Sequence, residues 1–361
     1  MNSKSQSRGN LLLLGVSILF SLVLLETGLR LLTPFPIHGE MANRVAHPLL
    51  GYTLDPANNE IDADGFRNPT ADGHFEIVAI GDSHTQGFNV ISGESYPQQL
   101  ANLLNTTVYN AGVGGYNVYQ YPHLAELATT KSPSVVLLGL LPSNDLLRNI
   151  EPNESHSGIA GLRMDEVPLK IVEDRLEQTN PALDDILQSN LAIASAASYL
   201  NNKRTSSSDS YHDVGGQAIK KDRVANHILY TDLTNPAIRI SFENSLAIID
   251  HINSRLNQDD IRFGVVILPS KELVLQEWAS TEGIPLPEGY SIANEKELIA
   301  AYVAAFSASG IHYIDATPFV LDAFRNDTRS NRIFYPRGDG HPFASGYRSY
   351  ARAAATLIQE I

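Results

Sequence analysis

The sequence predicts an α/β domain: a doubly wound, three-layer sandwich with a central parallel sheet, interrupted by a long, mostly helical insertion. Three observations favour this class. Short apolar runs rich in β-branched residues alternate with segments of helical periodicity, which is typical of right-handed βαβ units. Residues 135–141 are Val-Val-Leu-Leu-Gly-Leu-Leu and stop at Pro142, as expected of a strand buried on both faces. The alternation breaks at about residue 146 and resumes after residue 238.

The expected elements follow one another along the chain. We predict strands at residues 75–80, 107–109, 135–141, 262–268 and 311–314, and helices at residues 96–104, 119–129, 242–256, 295–309 and 343–358. Residues 51–70, rich in Asn, Asp, Gly and Pro, are predicted to form turns and loops rather than packed elements. The insertion, 146–238, is expected to contain helical stretches such as 192–201 and a flexible polar loop at 204–210. Long insertions of this kind are typical of lids, substrate-binding caps or partner surfaces.

Composition excludes several classes of function. The chain has 361 residues, of which 26 are Lys or Arg and 40 are Asp or Glu, so its net charge is −14. An acidic surface repels a phosphate backbone, which argues against nucleic acid as a partner. There is no Cys, so disulfides, thiolate metal sites and Cys nucleophiles are excluded. The His and carboxylate positions show no metal-ligand spacing, and no cofactor is expected.

The N-terminus predicts a membrane anchor. Lys4 and Arg8 precede an apolar run at residues 11–25, and a helix continued to residue 32 would span about 33 Å, enough for a bilayer core. We therefore expect residues 1–35 to form a cytoplasmic tip and transmembrane helix. Residues 36–361 would then be one extracytoplasmic domain, periplasmic in a Gram-negative bacterium. The alternative is a cleaved signal peptide, although no small-x-small cleavage site follows the run.

Gly81-Asp82-Ser83 directly follows the first predicted strand of the sheet. Ligands of open α/β sheets bind at the carboxyl ends of the strands, so Ser83 is placed to expose its hydroxyl as a nucleophile. The structural alternative is a simple turn, because all three residue types favour turns. Asp82 is predicted to bind nearby backbone, and the neighbouring His84 is a second candidate base.

Two more strand ends carry candidate oxyanion donors. The second is followed by Asn110-Ala-Gly-Val-Gly-Gly115, where glycines let backbone N–H groups approach a ligand, although a loop needing positive φ is the alternative. The third is followed by Asn144, whose amide is a donor unless it only forms an Asx turn or helix cap. Near the C-terminus, Asp339 and His341 supply a possible general base and the carboxylate that orients it.

This ordered set of motifs, from about residue 77 to residue 347, resembles the SGNH hydrolase superfamily, also called GDSL esterases and lipases. The resemblance implies a flavodoxin-like arrangement of the sheet, with Ser83 as nucleophile and His341 as base. It also implies an oxyanion hole formed by the N–H groups of Ser83 and Gly115 and the side chain of Asn144. One departure concerns the acid. The common family pattern has Asp three residues before His, where this chain has Gly338, so Asp339 takes that role at a shorter spacing.

The resemblance implies a membrane-anchored serine esterase that acts on an ester-bearing small molecule, lipid or glycan through an acyl-enzyme. Two alternatives remain open. An O-acetyltransferase would pass the acyl group to a hydroxyl of an envelope polysaccharide, and a non-catalytic binding or assembly protein would retain only the fold. Substrate specificity is expected to come from the 146–238 insertion and from residues 51–70.

Overall fold

The computed structural model describes residues 3–32, 44–68, 74–146, 210–326, 334–336 and 339–361. The chain divides into two compact units. One contains the N-terminal helix α1, Ser3–Leu32. The other spans Ala42–Thr179 and Ser208–Ile361 and contains every element discussed below.

A five-stranded parallel sheet is the centre of this second unit. The strands of the described residues are β1 (Arg44–His47), β2 (Gly51–Leu54), β3 (Ile77–Gly81), β4 (Val108–Gly112), β5 (Val135–Leu140), β6 (Tyr211–Val214), β7 (Gln217–Lys220), β8 (Arg262–Ile267) and β9 (His312–Asp315). The central sheet has the order β4-β3-β5-β8-β9, and all neighbours are parallel. The predicted α/β class and the five predicted strands are confirmed, with shifts of at most three residues at their ends. Because the chain passes from β3 outward to β4 and then to β5 on the other side, the order reverses between β3 and β5.

Helices cover the sheet. Among the described residues of the second unit, the helices are α2 (Ser83–Gln86), α3 (Tyr96–Leu104), α4 (Tyr121–Thr130), α5 (Pro142–Asp145), α6 (Lys221–Tyr230), α7 (Pro236–Asn257), α8 (Lys271–Glu282), α9 (Ala293–Ser309), α10 (Thr317–Asn326) and α11 (Ala344–Glu360). The helices α3, α10 and α11 pack together, and α4, α7 and α9 are a second set. Every residue of β3, β4 and β5 is buried, so both faces of these strands are covered.

Two small antiparallel hairpins, β1–β2 and β6–β7, were not predicted. The prediction of turns is confirmed for residues 55–68, which contain no helix or strand, but residues 51–54 form β2 and parts of the segment are packed in the interior. Leu54 and Phe66 are buried, and the Asn68 side chain donates to the Asp62 carboxylate and to the main chain of Asn110. Asp62 and Asn68 are buried and hydrogen-bonded, which the polar composition of the segment alone does not reveal.

The insertion is described only from residue 210 onward. There the chain forms the hairpin β6–β7, α6 and the start of α7, while the greater part of the insertion predicted to be mostly helical, 147–209, lies outside the described residues. The predicted helical stretch 192–201 and residues 204–209 of the polar tract lie outside the described residues.

The structure does not support the predicted transmembrane anchor. Among the described residues, no helix is both long enough and apolar enough to cross a bilayer. The extracytoplasmic location of residues 36–361 stays a prediction.

A row of three glycines fixes the position of α2 on the sheet. Gly81 at the end of β3 is in register with Gly112 of β4 and with Gly139 of β5. The fully buried Thr85 of α2 fills the space above this row. A Cβ atom added at Gly81 would lie 2.1 Å from Thr85 Oγ1, and one added at Gly139 would lie 2.6 Å from the same atom. A Cβ atom added at Gly112 would lie 2.6 Å from Thr85 Cβ. Only glycines allow a helix to lie this close to three strand ends.

We expect Gly112→Ala to destabilise the fold, because its new methyl group would lie 2.4 Å from the backbone nitrogen of Gln86, which cannot move independently of α2. Overpacking of this kind costs about 1–3 kcal/mol in the free energy of unfolding, measurable by urea titration. The control is Gly93→Ala, whose methyl group meets no atom within 4 Å. If Gly112→Ala lowered the free energy of unfolding no more than Gly93→Ala does, close packing between α2 and β4 would be contradicted.

Candidate active site

Ser83 is the first residue of the short helix α2, which follows β3 directly. Asp82 caps this helix, since its Oδ1 accepts a hydrogen bond of 2.8 Å from the backbone N–H of His84. The helix ends at Gly87, whose φ of +87° is the left-handed conformation that glycine adopts without strain. The nucleophile candidate thus lies on a rigid turn at the point where the strand order reverses.

The chain brings His341 and Asp339 to Ser83 from a position more than 250 residues away. His341 Nε2 lies 2.7 Å from Ser83 Oγ, and His341 Nδ1 lies 2.7 Å from Asp339 Oδ1. The same carboxylate oxygen accepts the backbone N–H of His341 at 2.7 Å. With Nδ1–H donated to the carboxylate, Nε2 is left to accept the proton of the Ser83 hydroxyl. The shorter Asp–His spacing therefore reaches the imidazole.

The charges of the site reinforce one another. Burial by itself lowers the pKa of His341, but the negative charge and hydrogen bond of Asp339 outweigh it and raise the pKa above its ordinary value. Burial by itself raises the pKa of Asp339, but the facing His341 and then the Arg223 guanidinium hold it well below its usual range. Asp339 is therefore a carboxylate at neutral pH and favours the protonated form of His341.

Asn144 reaches the same site from α5, after β5. Its Nδ2 donates a hydrogen bond of 2.9 Å to Asp82 Oδ2, so the amide is neither a helix cap nor a local Asx turn. An amide nitrogen has two hydrogens, and the second stays available for an oxyanion. Gly115, half-buried between the buried Gly114 and Tyr116, has a φ of +87°. The structure thus places a glycine turn at this strand end, and the role of its N–H stays a prediction.

A comparison with protein families identifies the chain. The model of the GDSL-like lipase/acylhydrolase family matches residues 79–349, well over half of the sequence. The chain belongs to this family. It is accordingly an SGNH/GDSL-type hydrolase of ester bonds, as the motifs predicted.

Solved structures give the same family names at low similarity. They include a structure described as a lipolytic protein of the G-D-S-L family from Desulfitobacterium hafniense (13% identity, TM-score 0.39, covering 78% of this chain and 98% of that one). The SGNH-hydrolase family esterase AlinE4 is 14% identical, with a TM-score of 0.35 over 81% of this chain and 98% of its own. A family two carbohydrate esterase from Clostridium thermocellum, in complex with cellohexaose, is 13% identical, with a TM-score of 0.36 over 81% and 66% of the two chains. No curated protein sequence matched the chain.

Phe88 and Asn89, beside the imidazole of this GDSL-family enzyme, were not assigned to the site from the sequence, whereas His84 was predicted as a second candidate base. The Phe88 ring stacks on the His341 ring at a centroid distance of 4.8 Å and an angle of 26°. Asn89 Nδ2 donates to the main-chain oxygen of His341 at 3.2 Å. The buried His84 ring lies 4.5 Å from that of His341, so His84 packs beside the base candidate. Their nearness to Ser83 in the chain was the only signal, since none carries a motif.

Two cations, the buried Lys271 and the partly exposed Arg223, contact the loop that carries Asp339. Lys271, at the start of α8, donates from Nζ to the main-chain oxygens of Ala218, Pro336 and Asp339 at 2.9–3.2 Å. Burial lowers the pKa of Lys271 to about 8, and the three carbonyls satisfy its donors. Arg223 packs directly on Gly340, where an added Cβ atom would lie 2.1 Å from Nη2. Sequence patterns cannot reveal this support because its members come from separate elements.

No group of three or more His, Asp or Glu side chains in the described parts of the chain is arranged to hold a metal ion. The buried cluster of His227, Ser270 and Glu295 is not a second copy of the site. Its carboxylate oxygen Oε2 receives both Ser270 Oγ and His227 Nε2, each at 2.6 Å. A base needs the carboxylate and the hydroxyl on opposite ring nitrogens, so this cluster is structural.

The pH dependence of activity should follow His341. Its neutral form is needed as a base, so kcat/KM should fall as the pH falls through a pKa that lies above 6.5. Asp339→Asn removes the charge that raises this pKa, so the acidic limb should move to lower pH while kcat falls about 10³–10⁴-fold. The control is Asp322→Asn, an exposed carboxylate beside Arg352. An acidic limb that stays in place in Asp339→Asn would contradict the assigned contact.

Proposed function

We propose that this GDSL-family hydrolase is a serine esterase that works through a covalent acyl-enzyme, with Ser83, His341 and Asp339 as its catalytic triad. The contact of 2.7 Å between His341 Nε2 and Ser83 Oγ carries the proposal. A hydroxyl at this distance from a neutral imidazole nitrogen can transfer its proton as it attacks a carbonyl carbon. The carboxylate on the opposite ring nitrogen holds the required tautomer and stabilises the imidazolium that forms.

The reaction consists of two acyl transfers. In the first, Ser83 Oγ forms a bond to the ester carbonyl carbon while His341 Nε2 takes the hydroxyl proton. The tetrahedral intermediate then expels the alcohol, which receives that proton. In the second transfer, water attacks the acyl-enzyme, His341 takes one of its protons, and the acid is released as the proton returns to Ser83 Oγ.

The oxyanion of both intermediates would accept hydrogen bonds from the N–H groups of Ser83 and Gly115 and from Asn144 Nδ2. Three features support this assignment. Ser83 begins a helix, where N–H groups point outward. Gly115 follows the strand next to β3, and Asn144 follows the strand on the other side. The bond from Asn144 to Asp82 fixes which end of the amide faces the site.

Ser83→Ala should abolish turnover of p-nitrophenyl acetate and labelling by a fluorophosphonate, because both need the Ser83 oxygen. The control is Ser92→Ala, since Ser92 is as buried (7% exposed) as Ser83 (8%). Turnover should persist in the control. Equal turnover by wild type and Ser83→Ala would refute the assigned nucleophile. An acyl-enzyme that forms but is not released by water would instead indicate that another hydroxyl is the acceptor.

Asn144→Ala should lower kcat by about 10²–10³-fold, because one oxyanion donor is lost. KM for the same ester should change little, since the ground-state carbonyl carries little charge. The thermal midpoint should be measured in parallel, because the bond to Asp82 is lost as well. An unchanged kcat in a folded variant would remove Asn144 from the oxyanion hole.

A further inference from the structure

The carbonyl oxygen of Gly114 accepts two hydrogen bonds from a part of the chain that precedes the family-matched region. Arg44 Nη2 donates to it at 2.9 Å, and the Tyr52 hydroxyl donates at 2.8 Å. Both residues belong to the hairpin β1–β2, whereas the family model begins at residue 79. The Arg44 guanidinium also stacks over the Tyr52 ring, 4.4 Å from its centroid, so the two donors support each other.

The Gly114 oxygen belongs to the same peptide unit as the N–H of Gly115. The described residues contain no cis peptide bond, so this unit is trans, and its C=O and N–H point in opposite directions in one plane. Two donors that fix the oxygen therefore fix the direction of the N–H. The N–H of Gly114 is held too, since Gln86 Oε1 accepts it at 2.6 Å, and Gln86 lies on the helix of the nucleophile.

The two donors also change the charge distribution of the peptide. A hydrogen bond from a cation to a carbonyl oxygen draws electron density toward that oxygen, which makes the N–H of the same unit a stronger donor. The site is partly shielded from water, because Tyr52, Gly114 and Tyr116 are buried. The Tyr116 hydroxyl donates to the main-chain oxygen of Tyr52, so the hairpin is connected to the residue that follows Gly115.

We propose that Arg44 and Tyr52 are positioning residues for the reaction: they orient and polarise the Gly114–Gly115 peptide, whose N–H binds the oxyanion. The hairpin β1–β2 is thereby part of the active site, although neither residue touches the substrate. This inference rests on the proposed acyl-enzyme mechanism and on Gly115 as one of its donors.

The experiment uses the full-length chain with Tyr52→Phe, Arg44→Met and Arg44→Lys. Tyr52→Phe keeps the ring beneath the guanidinium and removes only the hydroxyl, so kcat for p-nitrophenyl acetate should fall about 2- to 10-fold. Arg44→Met removes a charged donor and should lower kcat about 10- to 100-fold, with Arg44→Lys between the two. KM should stay near that of the wild type, because the lost stabilisation belongs to the transition state.

A second readout does not depend on turnover. In the resting protein, the amide ¹⁵N resonance of Gly115 reports hydrogen bonding to the preceding carbonyl. It should move upfield in Tyr52→Phe and further in Arg44→Met. The control is Arg255→Met, which removes a surface guanidinium bound to Glu126 and Asp259 and should change neither kcat nor this resonance.

The outcomes separate this inference from the proposed function. A fall in kcat with constant KM, together with a shifted Gly115 resonance, would support the positioning role. Ser83-dependent turnover with an unchanged kcat in Arg44→Met would overturn this inference alone, and so would an unchanged resonance. A loss fully explained by a lower fraction of folded protein would show a structural tether instead. Wild-type turnover that does not depend on Ser83 would overturn the proposed mechanism and this inference with it.

Discussion

The close approach of α2 to the sheet is the constraint on which the rest of the site depends. Gly112, Gly81 and Gly139 lie side by side on three neighbouring strands, and Thr85 fills the space that their missing side chains leave. This contact sets the height of Ser83 above the strand ends. Ser83 lies where the order of the parallel strands reverses, which is the point at which open α/β sheets leave a crevice for ligands. The proposed oxyanion donors, which follow the two flanking strands, can therefore converge on one atom.

The base is held by a different kind of interaction. His341 and Asp339 lie on a loop before α11, which the buried Lys271 and the partly exposed Arg223 contact. Lys271 binds three main-chain oxygens, and Arg223 pairs with the buried Glu272 while packing against Gly340. Buried charges are costly unless they are paired or fully hydrogen-bonded, and here they are engaged by carbonyls or by one another. The arrangement places a loop, which is the more mobile kind of element, within hydrogen-bond distance of a rigid helix.

The hairpin β1–β2 extends the catalytic unit beyond the region by which the family is recognised. Its residues contact the glycine loop after β4 through the carbonyl of Gly114, and residues further along the same segment bind Asn110 on β4 itself. A family motif records the groups that face the substrate. The residues that support those groups on the side away from the substrate vary in position along the chain. A hydrogen bond to a main-chain oxygen also leaves no sequence pattern at the accepting residue.

The sequence by itself determined the α/β class, the five parallel strands and the family. Continuous apolar runs, which are typical of strands buried on both faces, and short motifs at strand ends are both local properties of the chain. The same local motifs predicted Ser83, His341, Asp339 and Asn144 as site residues, and the structure brings these side chains together. The sequence did not indicate β2 or the burial of Asp62 and Asn68. It predicted a membrane span, but no helix among the described residues is long and apolar enough to cross a bilayer. Only the tertiary structure decided that an Asp two residues before His341 reaches its ring, that Asn144 binds Asp82, and that Arg44, Tyr52 and Lys271 support the site. These contacts join residues far apart in the chain, and their geometry depends on how strands and helices pack rather than on any local pattern.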